Sequence, residues 1–113
     1  VFPYLQLHAN ANGASITTLK KRFEKITTAE LSQFDVIIAA DVCFWDELTP
    51  IHFNLIKRAL KAGVQKIIYA DPMRQPFIEL AARCSDSFYA ELEELDLAPE
   101  IKARGGLMII ENA

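Results

Sequence analysis

The chain has 113 residues, 51% hydrophobic and 24% charged, with 12 basic and 15 acidic side chains and a net charge of −3. That balance excludes a disordered segment, which lacks the apolar residues for a core. The longest apolar stretch, Val36 to Ala40, is far short of the roughly 20 residues that span a bilayer.

A mildly acidic chain has no general attraction for nucleic acid or anionic lipid, so neither nucleic acid nor a membrane is an expected partner. The length suits one domain over residues 1–113. The chain opens at Val1 with no basic n-region and no small-residue cleavage site. It reads as a processed product or a piece of something longer. Cys43 and Cys84 are too few for a disulfide framework and form no C-x-x-C pair. Both are expected to be reduced, small buried hydrophobes in a cytoplasmic protein. His8 and His52 lack ligand spacing with Cys, Asp or Glu, so no metal is expected.

In chain order, Pro3 and Gly13 bracket a short helix over Tyr4–Ala11. Ile16–Leu19 reads as a short strand. Thr28–Gln33 reads as one helical turn capped by Thr28. Phe34–Ala40 is the strongest strand. Its continuous run Val36-Ile37-Ile38 predicts burial on both faces, as in the centre of a parallel sheet.

Leu48–Ala62 is the strongest helix, with Thr49 as N-cap and Pro50 at the first helical position. Ile51, Leu55, Ile56, Ala59 and Leu60 form one stripe. Lys57, Arg58 and Lys61 oppose the helix dipole, and Gly63 ends the helix. Val64–Ala70 is a second buried strand. Pro76 opens a helix with Phe77, Leu80, Ala81 and Cys84 on one face. Ser87–Leu95 alternates as a half-buried strand does. Asp96–Gly105 reads as a connection to a last strand, Gly106–Glu111, paired antiparallel. The sum is an α/β fold: a mainly parallel sheet with right-handed crossovers and a C-terminal antiparallel hairpin.

In such sheets ligands bind beyond the carboxyl ends of the strands. Two ends carry chemistry. At Ala39-Ala40-Asp41-Val42-Cys43-Phe44-Trp45, two small residues admit a close neighbour, and a carboxylate at the rim precedes two aromatics. At Tyr69-Ala70-Asp71-Pro72-Met73-Arg74, an acid, a rigid proline and an arginine follow the next strand. Simpler readings stand beside these. Asp41 and Asp71 can cap turns, and Phe44 and Trp45 can be core. Glu24 can be a solvated charge. No G-x-S-x-G, phosphate loop or G-x-G-x-x-G is present.

Asn10-Ala11-Asn12-Gly13 together with Phe34-Asp35-Val36-Ile37-Ile38-Ala39-Ala40-Asp41-Val42-Cys43-Phe44-Trp45 resembles the later part of a class I, seven-stranded S-adenosylmethionine-dependent methyltransferase. The nearest group is that of the seven-strand protein lysine and nicotinamide N-methyltransferase-like proteins. Its D-x-x-F form matches Asp41-Val42-Cys43-Phe44, and Ser87 to Glu111 matches its closing hairpin.

The resemblance implies a partial Rossmann-like sheet lacking the family's first strands and Gly-rich loop. It implies S-adenosylmethionine as cofactor in the complete protein and an amine, such as a protein lysine, as acceptor. Asp41 and Phe44 would lie beside the transferred methyl group as catalytic residues. Glu24, Ala39, Ala40 and Asp41 would border the cofactor, with Trp45, Asp71 and Arg74 on the substrate side. A carboxylate can orient an amine nucleophile, and aromatic walls hold cations.

The chain alone is expected to be inactive and to bind S-adenosylhomocysteine negligibly. A different class is also open: a non-catalytic interaction module that forms a homodimer through its open sheet edge. A phosphoacceptor receiver domain fails, because no acidic pair follows a first strand and no Lys-Pro follows a later one.

Overall fold

A computed structural model describes residues 11, 13, 21–98 and 103–112 of the chain. The expected helix at Tyr4–Ala11 except for Ala11, the strand at Ile16–Leu19, and Asn10 and Asn12 of the Asn10–Gly13 motif lie outside those residues. A 3-10 turn at Phe23–Lys25 comes first, followed by α1 (Thr28–Leu31), β1 (Val36–Ala40), α2 (Leu48–Lys61), β2 (Lys66–Asp71), α3 (Gln75–Phe88), β3 (Glu91–Ala98) and β4 (Ala103–Glu111).

The fold is α/β, with one four-stranded sheet in the order β1-β2-β4-β3. Only β1 and β2 pair in parallel; β4 runs antiparallel to both β2 and β3. The sheet is therefore mixed among the described residues, where a mainly parallel one was expected. The antiparallel C-terminal hairpin is present as expected.

Local chemistry explains most boundaries. Thr27, not Thr28, caps α1, in a reciprocal capping box with Glu30. Glu47, not Thr49, precedes α2, and makes no side-chain cap. Thr49 turns inward instead and its hydroxyl donates to the Pro76 carbonyl at 3.4 Å. Gly63, at φ 95°, ends α2 in the left-handed region that glycine enters freely. Arg58, read as a dipole charge, donates to the Ile26 and Phe23 carbonyls, both at 3.0 Å, and pins the 3-10 turn onto α2.

Pro76 lies in the first turn of α3 as expected. The strand expected from Ser87 starts only at Glu91, because α3 continues to Phe88. The Phe88 ring stacks on Phe53 of α2 at 5.2 Å, so packing prolongs the helix. Tyr89 then takes a left-handed cap conformation and donates its N–H to the Cys84 carbonyl. The expected connection Asp96–Gly105 is mostly strand, since β3 and β4 extend into it.

Ile67 and Tyr69 of β2 and Met108 and Ile110 of β4 are buried with Ile56 of α2 and Phe77 and Leu80 of α3 in one core. The residues between them form the other face. Register places Ala40, Ala70, Leu107 and Glu93 in one row across the sheet, and Ile38, Ile68, Ile109 and Glu91 in the next. No helix among the described residues covers these rows. Hence β1 is not the doubly buried central strand that its apolar run suggested. Among the described residues it lies at the edge of the sheet, with Val36 and Ile38 47% and 72% exposed. At the other edge, Glu91 to Leu95 are all exposed, so β3 is not half-buried either.

Candidate functional site

Because β1 and β2 are parallel, their carboxyl ends open on the same side of the sheet. A cleft of about 380 Å³ lies there, lined by Ala40, Ala70, Leu107, Leu95, Asp41 and Asp71. That volume falls in the range of small-molecule sites, roughly 300–1,000 Å³. The small side chains of Ala40 and Ala70 leave the lining low.

Two left-handed residues shape the rim. The Asp41 N–H still donates to the Ala70 carbonyl at 2.9 Å, so the ladder runs to the end of β1. Asp41 then turns sharply, with φ 58°. Aspartate tolerates this region better than most residues. Met73 has φ 77°, which costs a side-chain-bearing residue on the order of 1–3 kcal/mol. The Asp71 carboxylate holds the turn: its Oδ2 accepts the Arg74 N–H at 2.8 Å.

The Arg74 guanidinium sits at the centre of the rim. It lies 2.5 Å from Asp41 Oδ1 and 3.0 Å from Asp71 Oδ1. Its carbon stands 4.7 Å above the centre of the Phe44 ring, within cation–π range. The Trp45 ring lies 5.7 Å from Phe44, tilted by 49°. The hydrogen bond to Asp41 raises the Arg74 pKa further above its ordinary value, with help from the charge of both carboxylates. Two acids and one guanidinium leave this cluster with a net charge of −1.

Of the expected residues, Ala40, Asp41 and Asp71 line the cleft, and Arg74, Phe44 and Trp45 join the two acids beside it through ion pairs and ring contacts. Two expected residues are elsewhere. Ala39 packs against the core on the opposite face. Glu24 is exposed in the 3-10 turn, 3.7 Å from Arg22, and does not line the cleft. The Asp41 and Asp71 carboxylates bind Arg74 rather than only capping their turns. Phe44 and Trp45 are exposed, so they are not core.

Some participants were not singled out from sequence. Leu95 and the Gly105–Gly106 pair line the cleft from the hairpin. The signal on offer was the double glycine, the only one in the chain. Gly106 pairs with Asp71, and a Cβ there would run into Met73 Sδ and come within 3.1 Å of the Phe77 ring. Its bareness lets the strained Met73 turn lie down on the sheet.

Cys43 neighbours the site as a buried free thiol. Burial, helped by the Asp71 charge, pushes its thiol up to about 11. Behind β2, buried His52 Nδ1 lies 2.8 Å from the Tyr69 hydroxyl. Its Nε2 has no hydrogen-bond partner among the described residues. Burial lowers the His52 pKa, and the Val42 backbone opposes this in part. Burial raises that of Tyr69. Among the described residues, no three His, Cys, Asp or Glu side chains gather as a metal ion would require. No helix among them is long and apolar enough to cross a membrane. Neither protein-family models nor curated proteins give a match to the chain.

Proposed function

We propose that the cleft is the acceptor side of an S-adenosylmethionine-dependent N-methyltransferase site, with a cationic amine such as a protein lysine as the group it receives. One observation carries this reading. The rim already holds an organic cation, the guanidinium of Arg74, between Asp41, Asp71 and the Phe44 ring. The hairpin adds support: two antiparallel strands close the chain beside the parallel pair, and a closing hairpin is what the family resemblance implies.

The residues fit the sulfonium end of that cofactor, and only that end. An exposed carboxylate, an aromatic face and the low lining at Ala40 suit a positive centre and its methyl group. Glu24 does not line the cleft, so nothing assigns it to the adenine. When bound, S-adenosylmethionine would supply an electrophilic methyl group. The bound ammonium would first give a proton to solvent, which frees its lone pair, and Asp41 would then orient the neutral nitrogen by accepting a hydrogen bond from it. Phe44 would face the cation. Placing nitrogen and methyl in line accounts for much of the rate in such transfers. Two buried free thiols are in keeping with a reducing, cytoplasmic setting.

The test is methyl transfer to a lysine peptide by the product of the complete reading frame, followed by mass spectrometry. One added methyl mass is expected, and Asp41→Asn should reduce the rate by about 100-fold, within the range of acid–base contributions. No transfer to any amine overturns the reading.

A second reading rests on β1, which has no strand on its outer side among the described residues. There a second copy would pair with Val36–Ala40, making the chain a non-catalytic dimerising module. A strict monomer by light scattering at high concentration removes it.

A further inference from the structure

We infer that Arg74 is a built-in occupant of the acceptor cage, which an incoming alkylammonium or guanidinium group displaces from Asp41 and Phe44 while Asp71 keeps its hold on the arginine. This deepens the amine-acceptor reading and rests on it.

The two ends of the Arg74 bridge differ in kind. The Asp71 side chain is fully buried and bound twice, by the guanidinium and by the Arg74 N–H. Removing a cation from a buried carboxylate leaves an uncompensated charge, which is strongly unfavourable. The Asp41 side chain is 61% exposed. Water and salt screen that pair, so its loss costs little. The Phe44 ring is also exposed and can exchange one cation for another. A cation arriving from solvent therefore meets the weak half of the bridge first.

No loop has to open. The Arg74 backbone is fixed at the start of α3 by its bond to Asp71. The side chain alone can rotate, and such rotamer changes are fast. The chemistry of the entrant follows from what is vacated. A freed Asp41 carboxylate takes an N–H donor with a positive charge. Ala40, Ala70, Leu95 and Leu107 offer apolar surface to its stem. A neutral or anionic group gains nothing against the resident guanidinium, so Arg74 makes the site selective for cations.

Trp45 is the only tryptophan in the chain and lies beside Phe44, so its fluorescence reports on the cage. The 113-residue chain is titrated with n-butylammonium chloride against sodium chloride at equal ionic strength. Arg74→Gln should bind n-butylammonium at least ten-fold more tightly than the unaltered chain. Adding Asp41→Asn to Arg74→Gln should abolish that gain. Arg74→Lys, which cannot bridge both carboxylates with a planar fork, should fall between.

Equal affinity in Arg74→Gln and the unaltered chain overturns the inference, as does a gain that survives Asp41→Asn. If Arg74→Gln does not fold, the unaltered chain still decides. Its Arg74 Nε–Hε resonance should shift on saturation with n-butylammonium, and a resonance that stays fixed overturns the displacement. Arg74-dependent amine binding without methyl transfer sinks the methyltransferase reading alone. Methyl transfer with Arg74-independent amine affinity sinks the gate alone.

Discussion

On the face of the sheet that carries α2 and α3, Ile67, Tyr69, Met108 and Ile110 are at most 1% exposed. On the other face, Val36 and Ile38 stand open at the edge while Ile68 and Ile109 are partly shielded by their neighbours. The two faces are built from the same apolar residue types. What separates them is the pair of helices that follow β1 and β2, whose apolar stripes meet one face only. A continuous apolar run thus records that both sides of a strand are fit for burial. It does not record that both are covered.

The largest test of this difference is truncation on each face. Phe77 is fully buried against the covered face. Phe77→Ala should cost about 3–5 kcal/mol, the usual range for emptying an aromatic site. Ile38→Thr on the open face should stay within about 1 kcal/mol, because little packing is lost. Urea unfolding of both variants checks this. A costly Ile38→Thr would mean that the open face is covered in solution.

The same contrast runs through the acid pair. Asp71 is buried and doubly bonded to Arg74, so Asp71→Ala should destabilise by about 2–3 kcal/mol through lost charged hydrogen bonds. Asp41→Ala removes an exposed partner and should cost under about 1 kcal/mol. Comparable losses would contradict the asymmetry on which the Arg74 displacement rests. Gly106→Ala sits between, at about 1–3 kcal/mol. Its Cβ has to push aside Met73 and crowd Phe77.

Local features of the site were legible in the sequence. An acid just after an apolar strand, twice over, marked Asp41 and Asp71. Both strands are followed by helices, so both acids end on one side of the sheet. Arg74 and Phe44 were close in sequence to those acids and were found with them. The hairpin was legible as two strands, but its seat was not. Which neighbour β4 takes depends on pairing between residues 35 to 45 positions apart, from Asp71↔Gly106 to Lys66↔Glu111, and no local pattern encodes that. The same gap hid Leu95 and Gly106 as cleft residues. Phe88 was misread because its alternation with Tyr89 and Ala90 fits a strand. The stacking on Phe53 that keeps it helical is a tertiary contact.

The smallest expected effect is a pH dependence confined to the covered face. His52 is buried there with Nδ1 against the Tyr69 hydroxyl, and burial holds its pKa below 6.5 in the folded chain. The unfolded chain takes up the proton near 6.5, while the folded one resists it. Stability from this group is therefore complete above about pH 6.5 and declines as the pH falls toward the folded pKa. His52→Leu should flatten that decline. It should also lower stability at every pH, because the buried Tyr69 hydroxyl loses its partner, at a cost of about 1–3 kcal/mol. The slope of melting temperature between pH 7 and pH 5, not its absolute value, is the measurement that separates the two effects. An unchanged slope in His52→Leu would place the acid-sensitive proton elsewhere in the chain.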